Sequence, residues 1–223
     1  MAGLMQEFRA IIHEGGAAQI RTISWLTRRT SGCGGPHWER YVPPMDGTLL
    51  YWDPMPLAAP KRDDFKGLWA ERDWRNVPGP FYGAMTDTCS TGRLHAPKHV
   101  LYTDEFGQEF VYRQPKSPAE LQNLLDAAEA EAFSGYACDG DEHWTSETVR
   151  TWWADRARLR NWAVQATENW AASNWPNQRE EASIFSEYAD YLDGSCRQDL
   201  RVYMFWLDHR RSPTPSDRLP PLG

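Results

Sequence analysis

The sequence predicts an α+β fold in which a mainly antiparallel sheet from residues 19–113 is covered by helices from 117–210. Three observations carry that expectation. Segments 99–103 and 109–113 are rich in apolar and aromatic side chains and flank Asp104-Glu105-Phe106-Gly107, a hairpin connection with glycine where a positive φ is needed. Ser117-Pro118-Ala119-Glu120 then supplies an N-cap serine, proline at the first helical position and glutamate at the third, the signature of a capping box. Finally, strand-like segments precede helical ones, without the regular alternation that a doubly wound parallel sheet requires.

Taken in order, Leu4, Phe8, Ile11 and Ile12 fit one helical face over 4–14, ended by Gly15-Gly16. Residues 19–27 alternate and read as a strand, and Gly32-Cys33-Gly34-Gly35-Pro36 reads as a loop. Segments 38–42 and 48–52 suggest two more strands. Five prolines between 53 and 80 predict irregular backbone with at most one helical turn, anchored by Trp69 and Trp74. Segment 81–85 reads as extended. After the hairpin, Leu121, Leu124, Leu125, Ala128, Ala132 and Phe133 form one stripe of a helix. Thr145 is placed to cap a long helix carrying Val149, Trp152, Trp153, Leu159, Ala163, Ala166 and Trp170, with Arg156 in reach of indole rings. Trp175-Pro176 breaks that run. A further helix spans 179–193 up to Gly194, and 200–207 fits helix or strand. The pattern organises 1–211 as one domain, with 212–223 as a mobile proline-rich tail.

The 223 residues hold 24 Lys+Arg against 31 Asp+Glu, a net charge of -7. The first 116 residues carry 14 basic and 13 acidic side chains, and the remainder 10 and 18, so the acidity is concentrated in the second half. Between Lys116 and Arg150 lie Glu120, Asp126, Glu129, Glu131, Asp139, Asp141, Glu142 and Glu147 with no basic residue. That block opposes nonspecific binding to a phosphate backbone and fits either a solvated face or a docking face for a basic protein. No apolar run is long enough to span a membrane, and the charged start does not read as an export signal, so the expected compartment is the cytoplasm. The predominance of Arg over Lys suggests a bacterial source with GC-rich coding.

Cys33, Cys89, Cys138 and Cys196 are widely spaced, with no local zinc or iron-sulfur pattern. Signatures of the common nucleotide-binding folds, serine hydrolases and zinc proteases are missing too. Two readings follow. In the first, the protein is a noncatalytic binding module, comparable to an immunity or antitoxin protein, whose 117–147 region docks a basic partner through Glu120, Glu129, Glu131, Asp141 and Glu142 and needs no cofactor. In the second, it is a small metal- or thiol-dependent enzyme. There the 89–99 and 138–143 loops converge, and Cys89, His95, His99, Cys138, Asp139, Asp141 and His143 hold zinc or iron or supply a thiol nucleophile and an imidazole base. Trp38, Trp52, Trp69 and Trp74, set among prolines and charges, serve either as lids over the core or as a stacking platform.

Overall fold

The computed structural model describes residues 8–14, 17–23, 51–103 and 106–223. The chain divides into two compact units, 1–42 and 43–223. In the first, β1 (Phe8–Glu14) and β2 (Ala17–Ile23) form an antiparallel pair with Ile11 opposite Ile20. Segment 4–14 was expected to be helical. Its apolar spacing fits one helical face, but the described backbone of 8–14 is satisfied across the strand pair instead. Cys33, Trp38 and the expected 38–42 strand lie outside the described residues.

The second unit is α+β. Tyr51 and Trp52 belong to no strand. The proline-punctuated stretch that follows holds α1 (Met55–Ala58), which runs into a 3-10 helix at Ala59–Asp64, and a second 3-10 turn at Trp69–Glu71. The helical content slightly exceeds the single turn expected. Strand β3 is Tyr82–Gly83, α2 is Gly92–His95, and β4 (Val100–Tyr102) pairs with β5 (Glu109–Val111) as the predicted hairpin. Gly107 takes a φ of 71°, the left-handed conformation for which glycine was singled out.

Helix α3 (Pro118–Ala130) starts at the predicted cap. Ser117 Oγ accepts the Glu120 N–H at 3.3 Å, and Glu120 Oε2 reaches back to the Lys116 N–H at 2.7 Å. The helix stops before Phe133, which was expected on its core stripe. Ser134 adopts a φ of 54°, Glu131 turns inward and Phe133 faces solvent. Strand β6 (Tyr136–Ala137) then pairs with β3.

Next come α4 (Gly140–His143), α5 (Ser146–Ala154) and α6 (Arg156–Ala171). Thr145 caps α5 through a reciprocal pair with Thr148, as its position foretold. The long helix expected after it is two helices, because the chain turns at Asp155, whose N–H bonds to the Trp152 carbonyl. Helices α7 (Pro176–Glu181), α8 (Ile184–Asp193) and α9 (Cys196–His209) complete the fold. Gly194 ends α8, as read from sequence, while 179–193 is divided by a turn at 182–183.

Both faces of the β4–β5 hairpin are covered. Val100 and Val111 join Leu121, Leu124 and Tyr136 in one apolar cluster, whereas Leu101, Phe110 and Tyr112 join Phe185, Tyr188 and Leu159 in another. The alternation along β5 therefore places α3 on one side and α6 and α8 on the other. Asn76 splices β3 to β5. Its Oδ1 accepts the N–H groups of Gly83 and Val111, and its Nδ2 donates to the Gly83 and Asp73 carbonyls. A side chain thus replaces a ladder of backbone bonds. Segment 212–223, set apart by its prolines as a mobile tail, lies against α5 and α9. Leu222 is buried, Arg201 donates to the Leu219 and Pro220 carbonyls, and Arg150 donates to that of Pro221.

Candidate functional site

The residues foreseen as metal ligands or catalytic groups fall into different environments. Cys89 is exposed, its N–H bound to Asp87 Oδ1, and the Asp87 carboxylate is the first cause raising its thiol pKa. His95 is exposed at the end of α2. His99 is buried, with Nδ1 against the Arg113 carbonyl at 2.9 Å, and burial lowers its pKa. Cys138 is enclosed, and burial raises its pKa more than the neighbouring Arg62 lowers it. Raised thiol pKa values suppress the thiolate that nucleophilic attack requires.

Two of the foreseen groups do meet. Asp139 accepts the Tyr82 hydroxyl at 2.7 Å through Oδ1 and faces His143 Nε2 at 3.2 Å through Oδ2. The His143 ring stacks on Trp69 at 4.6 Å, and the Arg72 guanidinium lies 3.9 Å from the Trp69 ring centroid. Asp141, on the same short helix as His143, points elsewhere: its Oδ1 accepts the Tyr203 hydroxyl at 2.6 Å. Burial raises its pKa to about 6. Among the described residues no group of three or more His, Cys, Asp or Glu side chains is arranged to hold one metal ion.

The acidic block is largely engaged from within. Glu131, only 4% exposed, accepts the N–H groups of Asp87, Phe133 and Gly135, and Asp141 is committed to Tyr203. Neither presents its carboxylate as a docking charge on an open surface, which corrects their expected role. Glu120 serves the α3 cap. Glu129 and Glu142 remain at the surface, facing Lys61 at 3.2 Å and Arg62 at 3.4 Å from the 3-10 helix after α1. Charge counting along the sequence could not reveal this compensation, because the two cations come from almost 70 residues earlier or more.

A different surface emerges where three loops meet. Met85, Phe106 and Phe133 are 56%, 68% and 71% exposed, large values for side chains of this size. Ala84 N–H donates to the Gly135 carbonyl, and a Cβ at Gly135 would run into the Met85 carbonyl, so the 84–92 and 131–135 loops are in backbone contact. Gly107 sits beside the Thr88 carbonyl, and Gln108 Nε2 lies 3.8 Å from Met85 Sδ, which brings in the 106–108 turn.

Beneath these loops lie the carboxylates of Asp87, Glu109 and Glu131, all buried. Glu109 accepts the Gly92 N–H at 2.7 Å and the Tyr136 hydroxyl at 2.6 Å. Burial is the first cause raising its pKa, and Asp87 and Glu131 add to it. All three carboxylates act in the same direction on the exposed Cys89 thiol, a sign of their common negative field. Sequence reading missed this face, since Phe133 fits the α3 stripe and Met85 belongs to no periodic pattern. Of its members, the exposed Cys89 was singled out as a thiol and Glu131 as a docking acid, without the apolar side chains beside them.

Two cavities adjoin the helices. One, of about 230 Å³, is lined by Tyr51, Trp52, Pro78, Pro80, Tyr191 and Tyr203 among others. The other, of about 280 Å³, has walls from Trp74, Trp144, Trp152 and Leu159 together with Arg72, Asp73 and Asp155. Trp69 is no platform, since its ring is packed between His143, Arg72, Tyr82 and Trp144. No helix among the described residues is long and apolar enough to cross a membrane. Compared with known proteins, the chain matches no family model, no curated protein and no solved structure.

Proposed function

We propose that the protein is a noncatalytic binding module for a basic protein partner, in the manner of an immunity or antitoxin protein facing a basic effector. The docking face is the one formed by the 84–92, 106–108 and 131–135 loops. The observation that supports this reading is the coincidence of three exposed apolar side chains, Met85, Phe106 and Phe133, with three carboxylates underneath them. Apolar groups at the centre of an interface supply most of its affinity, while the surrounding field selects the sign of the partner and speeds encounter. A cationic amphipathic surface meets both conditions. The 117–147 acids contribute to the general negative field, and Glu129 and Glu142, paired with Lys61 and Arg62, are secondary to docking.

The test uses two designed amphipathic helical peptides, one with Leu on one face at helical spacing and Lys on the other and its counterpart with Leu and Glu, titrated against the full chain by fluorescence anisotropy. The Lys peptide binds saturably, weakens as salt is added, and loses about tenfold or more in affinity to the Phe106→Ser/Phe133→Ser variant. Equal binding of both peptides, or unchanged affinity in the double variant, overturns the proposal.

A further inference from the structure

The cavity of about 280 Å³ between the 72–76 segment and helices α5 and α6 carries an inference independent of the docking face, since the two share no residue. Its walls are three indole rings, Trp74, Trp144 and Trp152, with Leu159. Three charged residues line it, and their pairing differs. Asp73 Oδ2 is held by Arg75 Nη1 at 2.9 Å, and its Oδ1 accepts the Arg75 N–H. Asp155 faces Arg158 Nη1 at 3.4 Å. Arg72, in contrast, spends one N–H on the Trp69 carbonyl and has no carboxylate partner among the described residues. Trp152 adds an Nε1–H that is enclosed and has no acceptor among the described residues.

Both carboxylates of the wall are therefore matched, while a guanidinium and an indole N–H are left with donor capacity. That imbalance specifies the ligand's polar end. A cation would meet Arg72 directly, and the Trp74 ring already carries two guanidinium groups, Arg158 at 3.8 Å and Arg75 at 4.7 Å from its centroid. An acceptor bearing one negative charge would balance Arg72 and give the Trp152 N–H a partner. A carboxylate suits a guanidinium in this respect through paired N–H bonds. The indole walls specify the remainder: a flat ring system that stacks or meets edges in a space of small-ligand size.

We infer that this cavity binds a small aromatic carboxylate, with Arg72 receiving the carboxylate and Trp74, Trp144 and Trp152 enclosing the ring. Burial, the first cause lowering the Arg72 pKa, increases what its charge gains from an anionic partner.

Isothermal titration calorimetry of the full chain with indole-3-carboxylate and with its neutral isostere, indole-3-carboxamide, tests the inference. The acid binds saturably at one site per chain and the amide about tenfold or more weaker, as removal of a charge-assisted pair predicts. Arg72→Gln abolishes that preference for the acid, and Arg72→Lys retains part of it. Trp152→Phe, which keeps a ring but removes the N–H, weakens the acid to a smaller degree. If Arg72→Gln does not fold, the acid-to-amide ratio of the unaltered protein decides. Failure of the acid to bind at millimolar concentration, or equal binding of acid and amide, overturns the inference. Neither result bears on the Phe106 and Phe133 variants that test the docking face.

Discussion

The Asp87 N–H donates to Glu131 Oε1 at 2.6 Å, while Asp87 Oδ2 accepts the Ala132 N–H at 3.2 Å, so two buried carboxylates exchange backbone donors across two loops. This exchange fixes the 84–92 loop to the turn that exposes Phe133. Glu131 also accepts the N–H groups of Phe133 and Gly135. Glu131→Ala leaves these donors without their acceptor in a buried setting, and a loss of about 3 kcal/mol is expected in urea unfolding. Glu131→Gln retains one acceptor oxygen and loses less. A Glu131→Ala variant as stable as the parent would show that the exchange does not hold the loops together.

Asn76 is a second pivot, because its amide hydrogen-bonds both Gly83 of β3 and Val111 of β5. Aspartate at this position supplies the two acceptor bonds to Gly83 and Val111 but cannot donate to the Gly83 and Asp73 carbonyls, and it brings a charge into a buried site. Both Asn76→Ala and Asn76→Asp should cost about 3 kcal/mol or more by chemical denaturation. Retention of parental stability by the aspartate variant would assign the junction to backbone packing instead.

These two pivots mark the boundary of what the sequence discloses. The expected order of strands before helices is broken by α1 and α2 ahead of β4 and by β6 after α3, but local signals read correctly: the Gly107 turn, the Ser117 and Thr145 caps, and Gly194 after α8. Each depends on neighbours within about four residues. The apolar spacing of 4–14 misleads because a stripe of only four residues is too short to fix the period, and the pairing of 8–14 with 17–23 decides. The break at Asp155 carries no Gly or Pro and so gave no punctuation. Glu131 and Asp141 looked like surface charge because nothing in their vicinity announces the distant N–H and O–H groups they accept. Likewise, Arg62 and Lys61 could not be paired with Glu142 and Glu129 from spacing. The Asp139–His143 contact was legible as a cluster, but its third member, Tyr82, comes from β3.

Asp141 gives the fold a pH dependence. Burial raises its pKa to about 6, Asp53 and Glu142 push in the same direction, and the Tyr203 hydroxyl and Arg210 oppose them. Because the folded-state value lies above that of the unfolded chain, the folded state binds the proton more tightly. The stabilisation this provides is complete below about pH 4 and is lost as pH rises through about 6. Asp141→Asn removes the dependence while leaving an oxygen for Tyr203. Relative to the parent, the variant should therefore gain about 2 kcal/mol between pH 4 and pH 7 in urea unfolding. A constant difference across that range would mean that Asp141 titrates as an ordinary exposed carboxylate.

The three described thiols should separate by reactivity. Cys89 is exposed, whereas Cys138 and Cys196 are buried, and burial raises the pKa of both. In a Cys33→Ser background, Ellman's reagent should modify Cys89 in the native protein and the other two only on unfolding, with peptide mass spectrometry assigning the sites. Asp87, the first cause raising the Cys89 pKa, slows this reaction at neutral pH, so Asp87→Asn accelerates it. Cys89 also reports on the proposed docking face, since it lies on the same loop as Met85. Saturating Lys-Leu peptide should protect it from the reagent, whereas the Glu-Leu peptide should not. Rapid native modification of Cys138 would contradict its enclosure, and unprotected labelling of Cys89 in the presence of bound Lys-Leu peptide would place that peptide on another surface.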